Sequence, residues 1–187
     1  IFFSDATILV EGITEETLLR NYIDNNDNLK LHYISIFNIN GAYAHVYYPL
    51  TKLLKIPCLV ITDLDVKRNE SENWDKIIDQ SGKEHKIKIF SKIDSLHMRE
   101  TTNEVIKLFL LGKNVTTTIP KSKQIKTLDK IIDYHEEDNF KIVFQKDKIE
   151  NCYATSFEEA FILQNYSNKM LNSVLSRVRR DIYHDIV

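Results

Sequence analysis

Glu11 follows the apolar run Ile8-Leu9-Val10, and Asp63 and Asp65 follow Leu59-Val60-Ile61-Thr62. In an open α/β sheet the ligand site lies beyond the carboxyl ends of the strands, so two strand ends deliver three carboxylates to one edge. Glu15 falls one helical turn after Glu11. Ser156 and Glu158 open a later helix that can reach the same place. Five converging carboxylates repel one another unless cations neutralise them, and hard oxygen ligands suit Mg²⁺ or Mn²⁺, divided between two ions.

Each piece has a plainer reading when taken alone. Asp-x-Asp after a strand is also ordinary turn chemistry. Glu15 is favoured near a helix start by the helix dipole. Ser156 with Glu159 three residues on has the form of a capping box. Their joint placement at strand ends carries the chemical reading.

The elements that must position these acids follow from periodicity. Ala6–Val10 and Cys58–Thr62 are apolar runs without alternation, as in strands covered on both faces. Thr14 is the expected cap of a helix over Glu15–Ile23, with Leu18, Leu19, Tyr22 and Ile23 facing inward. Leu31–Phe37 reads as a strand, and Gly41 starts a helical stretch to about Lys55 with a kink at Pro49. Strand, helix, strand, helix, strand at these spacings predicts right-handed βαβ units on a parallel sheet. The polar stretch Val66–Ser91 holds a short edge strand around Ile87 and Ile89. Asn103–Leu111 reads as a helix stopped by Gly112. Lys113–Lys130 has five lysines against one acid. It reads as a loop, followed by a short helix around Ile125–Tyr134. Phe140–Gln145 is a further strand, Ser156 opens a helix, and the last twenty residues form another with Arg177, Arg179 and Arg180 near its end.

Composition narrows the function classes. The 187 residues suit one domain of the common ~100–200-residue size. Four glycines, at 12, 41, 82 and 112, cannot be arranged into a GxxxxGK[ST] or a GxGxxG loop, which excludes both nucleotide fingerprints. The 25 basic and 27 acidic side chains leave a formal charge of −2, so nucleic-acid binding requires local charge or metal. No apolar run reaches the ~20 residues of a membrane helix. Cys58 and Cys152 lie too far apart for a CxxC metal pattern and point to a reducing, cytoplasmic setting.

Ile8-Leu9-Val10-Glu11-Gly12 with Glu15, and Leu59–Asp65 with its Asp-Leu-Asp, are similar to the glutamate and Asp-x-Asp motifs of TOPRIM domains. Thr101-Thr102-Asn103-Glu104 and Thr155-Ser156-Phe157-Glu158-Glu159-Ala160-Phe161 narrow the resemblance to the OLD (overcoming lysogenization defect) family of ATP-dependent nucleases. That group includes the nuclease subunit of Gabija anti-phage systems, and the resemblance runs over essentially the whole chain. It implies a mainly parallel sheet flanked by helices, with a helical, basic insertion at roughly 100–136, and metal-dependent DNA cleavage in anti-phage defence. It also implies Glu11, Glu15, Asp63, Asp65 and Glu158 as acidic ligands with Ser156 beside them. Glu11, Asp63 and Asp65 form the catalytic set. An ABC-type ATPase domain is expected upstream in the parent chain, with homo-oligomers and a helicase-like partner protein. The family's catalytic lysine follows the SFE motif well downstream. Here only Lys169 follows Glu159, which places that lysine beyond Val187.

The expected chemistry is two-metal phosphodiester hydrolysis, with Glu11 moving a proton or orienting the attacking water. Lys67 and Arg68, the insertion lysines Lys121, Lys123 and Lys126, and Arg177, Arg179 and Arg180 are the expected DNA contacts. Trp74 reads as a cap over the sheet edge, and His45 as a packing histidine. Two other classes compete: a non-catalytic metal- and DNA-binding module that regulates its ATPase, and a haloacid dehalogenase-like phosphatase. The latter places Asp-x-Asp after its first strand, where this chain has Glu11.

Overall fold

The computed structural model describes residues 3–78, 81–88, 91–110, 128, 135–137, 139–180 and 183. β1 (Ala6–Val10) leads into α1 (Ile13–Asp24), then β2 (Ile34–Asn38), α2 (Tyr48–Leu54) and β3 (Cys58–Ile61). A short α3 (Glu70–Asn73) precedes a hairpin of β4 (Trp74–Ile78) and β5 (Glu84–Lys88). A wide π-helical turn covers Ile106–Leu110. β6 (His135–Glu137), β7 (Phe140–Val143), β8 (Lys148–Ile149) and β9 (Cys152–Tyr153) follow. α4 (Phe157–Gln164) and α5 (Lys169–Val178) end the described chain.

The main sheet has the order β2-β1-β3-β7-β6. Four strands run parallel and β6 pairs antiparallel at the edge. This is the mainly parallel α/β arrangement expected from the unalternating runs. Leu9, Cys58, Val60, Phe140 and Ile142 form one face with Ala44, Tyr48 of α2 and Val105. Val10, Ile36, Ile8 and Ile61 form the other, against Leu19 and Ile23 of α1. The two faces alternate along each strand, so both sides of the sheet exclude water.

Several local expectations change. α1 begins at Ile13 with extended Gly12 as its N-cap, so Thr14 lies inside the helix and caps nothing. Its inward stripe is Glu15, Leu19 and Ile23, while Leu18 and Tyr22 face solvent. β2 starts at Ile34 because Asn26 Oδ1 accepts the backbone N–H groups of Asn28 and Leu29, holding Leu29–Leu31 in a 3₁₀ turn. The stretch after Gly41 divides into a 3₁₀ turn at Ala44–Val46 and α2. Pro49 sits in the first turn of α2, where a missing N–H costs nothing. β4 and β5 pair with each other and add no strand to the main sheet, and Trp74 at the start of β4 is exposed. α5 ends at Val178 and Arg179 interrupts the helix, while the described residues Arg180 and Tyr183 are helical again. Gly112, the Lys113–Lys130 loop and most of the expected 125–134 helix lie outside the described residues.

Cys58 and Cys152 are free and buried. Among the described residues no helix is long and apolar enough to cross a membrane.

Phe140 is fully buried and meets the Tyr48 ring edge-to-face at 5.1 Å between centroids. Phe140→Ala is expected to cost about 3–5 kcal/mol in urea unfolding. Leu31→Ala, at a side chain 78% exposed, should stay within about 0.5 kcal/mol.

Candidate metal and catalytic site

The parallel register decides what stands at the carboxyl edge. Val10 pairs with Ile61 and Ile61 with Val143. One step beyond that row come Glu11 and Thr62, and two steps beyond come Asp63 and Gln145. Side chains distant in sequence therefore meet across neighbouring strand ends.

Glu11 is held through one oxygen. Its Oε1 accepts the Thr62 hydroxyl, the Asp63 backbone N–H at 3.2 Å and Asn103 Nδ2 at 3.0 Å. Asp63 is held in the same way, because Oδ1 accepts Gln145 Nε2 at 2.9 Å and the Phe157 N–H at 2.8 Å. That second donor belongs to the first turn of α4, so the helix N-terminus closes directly on the Asp63 carboxylate. Asp65 adopts a left-handed backbone with φ of 46°. Its N–H donates to Thr155 O, and its carbonyl accepts from Thr102 N and Thr101 Oγ1. This bracing offsets the cost of a non-glycine residue in that region.

Glu15 is only 4% exposed, and its Oε2 has no hydrogen-bond partner. A Cβ added at Gly12 would lie 2.8 Å from that oxygen, so the glycine leaves room for the carboxylate. Ser156 is the N-cap of α4, its hydroxyl accepting Glu159 N at 3.2 Å. The reciprocal half of the expected capping box is displaced by one residue. Glu159 Oε2 accepts the N–H and hydroxyl of Thr155, each at 2.7 Å.

The acids share one electrostatic neighbourhood. Burial pushes Asp63 up to about 7, and the charges of Glu11 and Asp65 push the same way. Asp65 is raised by burial and then by Glu11. Glu15 is raised chiefly by burial, with Glu158 and Glu11 adding to it. The structure thus brings Glu11, Glu15, Asp63, Asp65 and Glu158 to one edge. Among the described residues, no three His, Cys, Asp or Glu side chains gather closely enough about one point to hold an ion. The donor set is nonetheless all hard oxygen, with Glu15 Oε2 buried and unpartnered beside it, and it fits a Mg²⁺- or Mn²⁺-type cation.

The expected DNA contacts divide. Lys67 is exposed, 3.3 Å from Glu100, and Arg177, Arg179 and Arg180 are exposed at the end of α5. Arg68 is turned inward, its side chain only 8% exposed. It donates to Ser91 O, to Thr155 Oγ1 at 3.3 Å and to Glu159 Oε2 at 3.5 Å. A cation spent on a buried carboxylate is not offered to a phosphate, so Arg68 leaves the DNA-contact set. Lys121, Lys123 and Lys126 lie outside the described residues.

Thr62, Asn103 and Gln145 are the residues that sequence reasoning passed over. Asn103 lies in one of the motif-like stretches. Gln145 is the polar residue closing a strand run, a signal available from the sequence.

A family profile described as "Overcoming lysogenization defect protein-like, TOPRIM domain" matches residues 2–65. Over those residues the chain is similar to that family, and its mainly parallel sheet agrees with a TOPRIM-type α/β fold. The profile span contains Glu11, Glu15, Asp63 and Asp65, and the structure brings Asn103, Gln145 and the α4 N-terminus to the same edge. The chain is 43% identical over its full 187 residues to a protein named Endonuclease GajA from Bacillus cereus (strain HuB5-5). It spans 24% of that protein's length. No solved structure gives a significant match.

The raised Asp63 gives a signed pH dependence. The metal-free folded state keeps a proton up to about 7 that the unfolded chain releases near an ordinary ~3.9, so folding stability declines as pH rises between those values. Glu15 and Asp65 act in the same direction. Glu72, held down to about 2 first by its hydrogen bond with Arg99, acts only at lower pH. In EDTA, the urea midpoint should fall from pH 5 to pH 8, and less so in Asp63→Asn. A midpoint flat in both proteins contradicts the assignment.

Proposed function

We propose that this domain is the metal-dependent nuclease module of a larger DNA-cleaving enzyme, hydrolysing phosphodiester bonds with two Mg²⁺ or Mn²⁺ ions. The observation that carries this reading is a chain of neighbouring carboxylates at the carboxyl edge of the sheet, Asp63 and Asp65 beside Glu11, Glu11 beside Glu15 and Glu15 beside Glu158, with one buried Glu15 oxygen lacking a partner. The ligands would be Glu11, Glu15, Asp63, Asp65 and Glu158, with Ser156 beside them. Bound divalent ions would supply a hydroxide nucleophile near neutral pH and stabilise the leaving oxygen.

The chain's own residues do the rest. Glu11 presents Oε2, the oxygen free of the three donors on Oε1, to a cation or to the attacking water's proton. Asp63 presents Oδ2 in the same way, because Gln145 and the α4 amide occupy Oδ1. Asp65 and Glu158 complete the edge from the braced loop and from the first turn of α4. Lys67 and the arginines at the end of α5 offer exposed positive charge to a polyanion.

The similarity to an endonuclease supports this reading, as does the conjunction of its acidic motifs with the TOPRIM fold. An ABC-type ATPase elsewhere in the parent chain, homo-oligomers, a helicase-like partner, a role in anti-phage defence and a cytoplasmic setting belong to the same proposal.

The test is incubation of supercoiled plasmid with the full-length parent protein, with and without Mg²⁺ or Mn²⁺. Metal-dependent nicking is expected, reduced at least about 100-fold by Asp63→Ala. Nicking that survives Asp63→Ala would remove Asp63 from the site. A folded, metal-binding, full-length protein that does not nick would instead favour a regulatory module.

A further inference from the structure

Asn103 reaches the site from outside the strand ends, 92 residues from Glu11 in sequence, and its side chain is 1% exposed. Its amide orientation is determined by what each end meets. Oδ1 accepts the Ile106 N–H at 3.0 Å, capping the helical turn that follows. Nδ2 therefore faces the strand ends, where it lies 3.0 Å from Glu11 Oε1, 2.7 Å from Thr62 Oγ1 and 2.8 Å from the Asp63 carbonyl. The Thr62 hydroxyl gives its own proton to Glu11 Oε1 and can accept from Nδ2. One amide thus touches both strand ends that carry the acids, directly and through Thr62.

The residues around Asn103 hold it there. Its N–H donates to Thr101 Oγ1 at 3.0 Å, and Thr101 Oγ1 donates in turn to Leu64 O at 2.7 Å. Val66 and Thr101 form an antiparallel bridge, and Arg99 pairs with Glu72. The segment preceding Asn103 is consequently fastened to the chain that follows Asp65. Such bracing is what a side chain needs in order to hold a neighbour to a narrow range of positions.

We propose that Asn103 is a positioning residue that fixes the Glu11 carboxylate through Oε1, so that Oε2 is the oxygen directed to the cation. Asn103 is itself too buried to touch substrate or metal. This inference rests on the metal-binding reading of the site.

The test uses Mn²⁺ alone as probe, titrated into the 187-residue chain and followed by the loss of the free-ion paramagnetic resonance signal. Thermal melts run alongside. Asn103→Ser keeps a cap oxygen for Ile106 N–H and removes the amide donor. It is expected to fold and to raise the Kd for Mn²⁺ by about 10-fold or more, the usual effect of losing an outer partner of a metal ligand. Asn103→Ala, which also loses the cap, should melt lower than Asn103→Ser without weakening Mn²⁺ binding further. In a Glu11→Gln background, Asn103→Ser should cost clearly less than in the parent, because most of its action runs through Glu11 and the remainder through the Asp65 carboxylate, to which the same side chain also hydrogen-bonds.

An unchanged Kd with a lowered melt, or an equal loss in both backgrounds, would overturn the positioning role and leave the metal site standing. Failure of Asn103→Ser to fold would also overturn it, since the fold contribution is assigned to the cap that serine retains. A wild-type chain that takes up no Mn²⁺ would overturn the metal reading and this inference together.

Discussion

Three hydrogen-bond donors meet a single oxygen of Glu11, and the layout of the acidic edge depends on that meeting. Thr62, the Asp63 amide and Asn103 come from two separate segments, and they converge only because β1 and β3 pair in parallel with Val10 beside Ile61. A register slip of one residue would turn Glu11 to the opposite face of the sheet and leave Asn103 without its acceptor. Sheet pairing, the two apolar faces and the acidic edge are therefore one construction. The same logic repeats at Asp63, where Gln145 from the neighbouring strand end and the first amide of α4 share one oxygen. In both carboxylates these donors meet one oxygen and leave the other clear of them.

Burial and charge pull against each other along this edge. Glu15 takes an inward position on α1 that an apolar residue would ordinarily fill, and its Oε2 finds no partner. Burying a carboxylate without compensation is unfavourable, and α1 has an exposed Leu18 and Tyr22 that a small rotation would bring closer to the core. A helix that buries Glu15 beside Leu19 and Ile23 while Leu18 and Tyr22 stay exposed is not arranged for packing alone. Gly12 provides the space in which Glu15 sits, and a cation at this edge would supply that compensation under the proposed function.

The parts of this design that the chain discloses in one dimension are those set by local periodicity. Ile8–Val10 and Leu59–Ile61 name buried parallel strands, and the residues following them name the edge, so Glu11, Asp63 and Asp65 are legible together with the α/β class. Residues whose role arises from tertiary proximity are not. Asn103 and Gln145 look like any polar residues in a helix start and a strand end until the register places them beside Glu11 and Asp63. Arg68 follows the acidic pair in a polar stretch and reads as a phosphate contact, but a buried Glu159 claims it. The phase of α1 misleads for a related reason, because the apolar pattern predicts Leu18 and Tyr22 inward and a carboxylate occupies the stripe. Likewise the stretch around Ile87, read as a short edge strand, is β5 of a separate hairpin and pairs with β4.

The central claim is that the coupled carboxylates at this edge exist to hold divalent cations. Anomalous diffraction from crystals of the chain soaked in Mn²⁺ tests it most directly. Two Mn²⁺ peaks are expected, lying against the carboxylates of Glu11, Glu15, Asp63, Asp65 and Glu158. Crystals saturated with Mn²⁺ that show no peak at this edge would contradict it.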